Sequence, residues 1–284
     1  MKKIPWRKLW IAQTKKWHGL TRTRDLPTPV VLWRGLSRLD GVTEVLAAAC
    51  ATQVAPSRNS KTGDMIQVAI FRADLPPAAA WRQGQDGAVC PASCVHRSSA
   101  RGGQNSCYVN KGRLRSAWGA AVQRKVVPRE RLASWAKGAR LRFGMEGDPS
   151  AVPLYVWEEL ARTAGGWAGY TAHWRQLDAA WERLFMASCS SPEEAAQAEA
   201  LGWRTFSSSD SPRDDRAHLA AGRKLCHAES FGLTCNQCGG CSGLAKGSRR
   251  PSFFLPLHGP VGAAVRRRAD QPPLLFPPRS TLNV

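Results

Sequence analysis

From residue 140 onward the chain alternates short β-rich runs with helical ones, and no other property of the sequence restricts its fold as strongly. Residues 140–145 read as a strand, Gly147-Asp148-Pro149 ends it, and residues 150–164 carry helical periodicity behind an N-cap. Strand-like pieces recur at 167–171, 184–189, 203–206, 224–228 and 253–258, with helical pieces at 175–183 and 192–201. This alternation predicts a parallel sheet with crossover helices, either open or wound into a parallel β/α barrel-like body such as an incomplete TIM-type barrel. Upstream, residues 65–71 predict a buried strand, residues 114–124 and 129–137 predict helices, and residues 42–54 a short helix against the body.

The net charge of +20 suggests a nucleic-acid partner until it is divided along the chain. Residues 1–58 carry +8 and residues 244–284 carry +6, which leaves only +6 on the long middle segment. The expected organisation is therefore a poorly ordered basic, Trp-rich arm over 1–56, an α/β body over 57–260, and a basic, proline-rich tail over 261–284. Basic arms of this kind can bind phosphate backbones without reading sequence, and they can equally be solvated tails. The first residues contain no apolar stretch long enough for a secretory signal, and no run of about eighteen apolar residues suits a bilayer span. With nine cysteines in no regular disulfide framework, a reducing cytoplasm is the expected location and a membrane is not an expected partner.

Seven of those cysteines fall in two groups, leaving Cys50 and Cys189 apart. Cys226, Cys235, Cys238 and Cys241 lie within sixteen residues, and the last three are spaced C-x2-C-x2-C. Two-residue gaps allow thiolates on one loop to share a centre, and three of them with a more distant fourth suit an iron–sulfur cluster. Zinc more often takes separated pairs, so it stands as the alternative metal. Cys90, Cys94 and Cys107 form the other group, and two separate sites or one composite site are both open.

Polar residues recur at the ends of the expected strands, where parallel α/β folds build their sites. Asp148 and Glu229 are candidates for proton transfer, and Thr171, His173 and Ser188 for holding a cofactor. Thr205 with Ser207, Cys226 and His258 complete the series. Lys61, in the turn before the first expected strand, could hold an anionic group, although Lys61-Thr62-Gly63 lacks the upstream glycine of a phosphate-binding loop.

Several stretches together resemble a family of uncharacterised proteins found in bacteria, their phages and prophages. They are Asn59-Ser60-Lys61-Thr62-Gly63-Asp64-Met65, Cys107-Tyr108-Val109-Asn110, Gly147-Asp148-Pro149-Ser150-Ala151-Val152-Pro153, Gly169-Tyr170-Thr171-Ala172-His173-Trp174, Met186-Ala187-Ser188, Gly202-Trp203-Arg204-Thr205-Phe206 and Cys235 to Cys241. The resemblance covers roughly residues 57–260 and implies no activity. The chain departs from it in two places. The family's first cysteine pair is closer together, and its aromatic segment reads Tyr-Thr-His-Gln-Trp, so that Ala172 takes the histidine's place and His173 comes one residue late. The cysteine loops are also distantly similar to radical S-adenosylmethionine enzymes. Cys90 and Cys94 share the first gap of their C-x3-C-x2-C loop, but the third cysteine of that loop is missing.

Two functions follow as expectations. One is an iron–sulfur α/β-barrel enzyme acting on a nucleotide, a nucleic acid or a small metabolite, with S-adenosylmethionine as a cofactor that the resemblance implies. The other is a zinc-stabilised protein that binds nucleic acid, or serves as an interaction module, without catalysis.

Overall fold

The computed structural model describes residues 28–51, 60–97, 107, 109–243, 250–257 and 266. Nine strands form one sheet: β1 (Val30–Leu36), β2 (Glu44–Ala49), β3 (Ile66–Arg72), β4 (Arg140–Phe143), β5 (Gly166–Thr171), β6 (Met186–Cys189), β7 (Thr205–Ser209), β8 (Lys224–Leu225) and β9 (Phe253–Pro256). Their spatial order is β1-β2-β3-β4-β5-β6-β7-β9-β8, an open sheet. β1, β2 and β3 pair antiparallel, whereas every pairing from β3 to β8 is parallel. The chain is thus a mixed α/β protein with a mostly parallel sheet. Strands β3 to β7 and β9 point the same way, so their first residues define an amino edge and their last a carboxyl edge.

Among the described residues, seven α-helices lie in the connections up to β8: α1 (Pro77–Arg82), α2 (Arg115–Ala121), α3 (Arg129–Ala136), α4 (Leu154–Ala161), α5 (Ala179–Glu182), α6 (Pro192–Ala200) and α7 (Pro212–Ala220). Two short ones, α8 (His227–Phe231) and α9 (Cys235–Cys238), follow β8. α6 and α7 begin alike. Ser191 and Ser211 each accept a hydrogen bond from the amide three residues on, a proline opens the first turn, and acidic residues fill it, which suits the positive end of a helix.

The side chains of each strand alternate between two faces. One face carries Ile66, Val68, Ile70, Leu141, Phe143 and Ala187, and packs against Leu132, Trp135, Trp157, Trp181 and Ala195 of the helices as the main core. Trp157 anchors this layer: its ring lies 5.0 Å from Phe143 and its indole donates to the Pro149 carbonyl at 3.0 Å. On the opposite face, Val31, Leu46, Ala69 and Phe71 meet α2, while Met65, Ala168, Met186 and Phe253 gather around Cys241.

Two sequence expectations change here. The helix expected over residues 42–54 is instead strand β2, and β1 also lies inside the segment expected to be a poorly ordered arm. The alanine-rich run of β2 suggested a helix, but five of its six residues are buried between layers, and that burial overrides local propensity. The rest of the arm, the tail apart from residue 266, and His258 lie outside the described residues. Among the described residues, no helix is long and apolar enough to cross a membrane.

Candidate functional site

The two cysteine groups occupy opposite edges of the sheet. The segment carrying Cys90 and Cys94 leaves β3 and crosses the carboxyl edge. There the Asp148 amide donates to the Val89 carbonyl at 2.6 Å, and the Ser93 hydroxyl donates to the Ala172 carbonyl at 2.7 Å. Gly147 permits this approach: its φ is +76°, and a Cβ on it would stand 2.8 Å from the Ile70 side chain and 2.9 Å from its carbonyl oxygen. Cys107 returns to the same place, 3.6 Å from Lys111 Nζ. Lys111 in turn reaches both carboxylate oxygens of Glu146, at 2.9 and 3.1 Å, with the two side chains only 8% and 3% exposed.

Burial, assisted by the Glu146 carboxylate and the Cys94 thiol, pushes Cys90 well above the ordinary thiol range. Cys94 is pushed up to about 11, again chiefly by burial, with Asp148 and Cys107 adding to it. Burial would discharge Lys111, but Glu146 and the neighbouring Cys107 and Cys90 more than offset this, and the ammonium is held charged. Three thiols, one cation and one carboxylate thus converge at the carboxyl edge.

Asp148 joins this edge as a brace. One carboxylate oxygen accepts from the Ser150 amide (2.9 Å), the Ser150 hydroxyl (2.7 Å) and the Thr171 hydroxyl (2.7 Å), and the other accepts from the Ala172 amide (2.7 Å). His173 lies next to it, its pKa lowered by burial and by Arg38 against the pull of Asp148. Ser188 lines a cleft with Ser93, Cys94, His96, Ser190 and Glu194. His96 also comes within 3.5 Å of the Ser208 hydroxyl at the end of β7.

The second group lies at the amino edge. β8 is only two residues long and pairs with the start of β9, so Cys226 leaves the sheet early, its amide on the Phe254 carbonyl at 2.9 Å. The following loop passes under the strands. Cys235 and Asn236 donate to the Lys61 and Thr62 carbonyls just before β3, Gly169 donates to the Cys241 carbonyl, and Gly243 donates to the Leu184 carbonyl just before β6. Arg204 fastens the loop through the carbonyls of Gly240, Ser242, Arg250 and Pro251, and Arg140 through that of Asn236.

Burial raises the pKa of Cys226 and of Cys235, and each lies close enough to the Cys238 thiol to be raised by it as well. Cys241 is pushed up to about 12 by burial, with Cys235 and Cys226 adding to it and a hydrogen bond from Tyr170 opposing it. Cys238 Sγ lies 3.2 Å from His227 Nδ1. Above these thiols Arg142 stacks on Tyr170, its guanidinium 4.2 Å from the ring centroid, and its buried Nη1 has no hydrogen-bond acceptor among the described residues.

The structure therefore brings Cys90, Cys94, Cys107, Asp148, Thr171, His173 and Ser188 to one edge. It places Cys226, Cys235, Cys238, Cys241, Lys61 and the exposed Glu229 at the other. A single composite site closed by both cysteine loops is not formed, and Cys226 with Glu229 does not join the carboxyl-edge series as expected. Among the described residues, no three His, Cys, Asp or Glu side chains already stand in metal-binding geometry. Lys111, Glu146, Arg204 and His227 escaped the sequence reading because their partners are distant or unpatterned. Arg142 did leave a signal: Arg140-Leu141-Arg142-Phe143 alternates, and marks one face of β4 as polar.

The chain matches no protein-family model, and no curated protein or solved structure is significantly similar to it.

Proposed function

We propose that this chain is a metal-dependent enzyme on a barrel-like α/β body, with its reaction site at the carboxyl edge and a second, structural metal centre at the amino edge. The observation that carries this reading is the division of the cysteines, three at one edge and four at the other. Catalytic centres commonly take three protein ligands and keep one position open, whereas structural centres take four and are closed. The side-by-side order of β3 to β7 is also that of a wound barrel, whose carboxyl edge carries chemistry while its amino edge carries stability.

The residues fit such groups. Both sets are thiols drawn near one another, and burial raises the pKa of Cys90, Cys94, Cys226, Cys235 and Cys241, so a bound cation would favour their thiolates. Cys90, Cys94 and Cys107 would hold an iron–sulfur cluster, which would supply electron transfer or an open iron for a cofactor such as S-adenosylmethionine. Lys111 offsets the negative charge of those thiolates and Glu146 fixes the ammonium in place. Asp148 sets the spacing between the loops after β4 and β5. The polar cleft lined by Ser93, His96, Ser188, Ser190 and Glu194 adjoins Cys94 and has room for about one water molecule.

A second reading is a zinc-held loop that binds nucleic acid without catalysis. It draws on the exposed Lys61, Arg140 and Arg250 around the amino-edge loop, and on Phe231, which is 71% exposed there.

Anaerobic purification with iron, sulfide and zinc measured on one sample separates the two. Replacing Cys90, Cys94 and Cys107 by Ser should remove the iron and visible absorption of the carboxyl-edge centre while leaving the amino-edge metal in place. A colourless protein holding zinc alone, with nucleic-acid affinity that falls steeply with salt, would overturn the enzyme reading in favour of the second.

A further inference from the structure

We infer that Arg142 and Tyr170 are positioning residues for a dianionic centre held by the four thiolates of Cys226, Cys235, Cys238 and Cys241. This rests on the amino-edge centre proposed above. Zinc with four thiolates and an oxidised four-iron cluster with four thiolates both carry a charge of about −2, so the inference is the same for either metal.

Arg142 and Tyr170 project from adjacent strands on the face that the cysteine loop covers. Tyr170 packs against Phe206 with tilted rings 4.6 Å apart and donates its hydroxyl hydrogen bond to Cys241, so its polar end is used. The Arg142 guanidinium lies over that ring, 4.2 Å from its centroid. Its positive charge acts on both Cys235 and Cys241, and its buried Nη1 is a donor without an acceptor among the described residues. A buried unmatched donor costs stability. Beside four neutral thiols Arg142 is a liability, and beside four thiolates it has sulfur acceptors and an opposite charge. Residues that hydrogen-bond metal ligands commonly change metal affinity by about tenfold to a hundredfold when removed.

The test compares wild type, Arg142→Met and Tyr170→Phe as full-length protein, each metal-free and loaded with zinc, with cobalt(II) as the spectroscopic probe. For Arg142→Met we expect zinc loss to a chelator about tenfold faster or more. Thermal stability should fall in the loaded form but hold or rise in the metal-free form. Tyr170→Phe should keep the fold and show a smaller increase in zinc loss, and cobalt should give the thiolate charge-transfer intensity of four sulfurs. Equal destabilisation of loaded and metal-free Arg142→Met, unchanged zinc retention in both variants, or fewer than four sulfurs on cobalt would each overturn the inference. If wild type takes up no metal at Cys226, Cys235, Cys238 and Cys241, the amino-edge centre itself fails, and the inference with it.

Discussion

Lys111 Nζ and the Glu146 carboxylate form a two-point ion pair across 35 residues of sequence, in a place that solvent barely reaches. Removing one partner of such a pair leaves the other charged and buried, at a typical cost of about 3–5 kcal/mol. Lys111→Met should therefore destabilise the protein by about that amount in urea unfolding at neutral pH. Burial already raises the Glu146 pKa, and without Lys111 the carboxyl should protonate readily, so the loss should shrink as pH falls. Lys111→Met combined with Glu146→Leu should recover much of the stability. If the double variant is as unstable as the single one, the pair is not what Lys111 contributes.

Asp148 should prove a brace rather than a proton carrier. Both its carboxylate oxygens accept from protein donors, in its own turn and just past the end of β5. Asp148→Asn replaces one carboxylate oxygen by an NH2 group facing an amide donor, and should cost about 1.5–3 kcal/mol in denaturant unfolding. A variant of full stability that loses only turnover would assign Asp148 to the chemistry instead.

His218 makes stability depend on pH. It is fully buried, stacks on Phe254 at 5.0 Å, and faces the Arg223 guanidinium, 3.2 Å from its Nδ1. Burial and Arg223 lower its pKa below the ordinary value of 6.5, against the pull of Asp214, Asp215 and Glu199. Its unfolded form therefore binds more protons in the window between the two pKa values. The stability contribution is complete above pH 6.5 and is lost as pH falls toward the lowered folded value. Melting temperature should drop through that window in wild type and drop less in His218→Phe. Parallel curves for the two proteins would exclude His218 as the source.

Gly243 is the point where the cysteine loop docks under β6. A Cβ there would lie 2.2 Å from the Glu182 carbonyl oxygen and 2.6 Å from the Leu184 nitrogen, main-chain atoms that cannot turn aside. Gly243→Ala should displace the loop, destabilise the protein by about 1–3 kcal/mol and speed metal loss, without affecting the carboxyl-edge cysteines. Unchanged zinc retention in this variant would show that the loop holds its metal independently of its seat.

The parallel part of the fold was legible because its signals are local. Strands β3 to β7 are short β-rich runs bounded by turn residues, and each lies within a few residues of its expected position. α7 carries the same Ser-Pro start as α6, a cap readable from sequence. β2 was not legible, because Ala47, Ala48 and Ala49 become strand only through the layers that bury them. The site was legible as residue types but not as places. Cys226 was set at the carboxyl edge on the assumption of a full strand, and only the two-residue length of β8 reveals that the chain turns down instead. The Lys111–Glu146 pair gave no short-range signal at all.

The position of β9 bears on how the chain is made. Strands β1 to β7 can be added in the order of synthesis, each beside the one before. Among the described residues, β8 has no neighbour in the sheet except β9, which is the last of these strands and seats itself between β7 and β8. A nascent chain therefore has no sheet partner for β8, the strand that leads into Cys226, until residues 253–256 have left the ribosome. The seat of the second cysteine group is completed only once β9 has emerged, when β1 to β7 are already available to receive it.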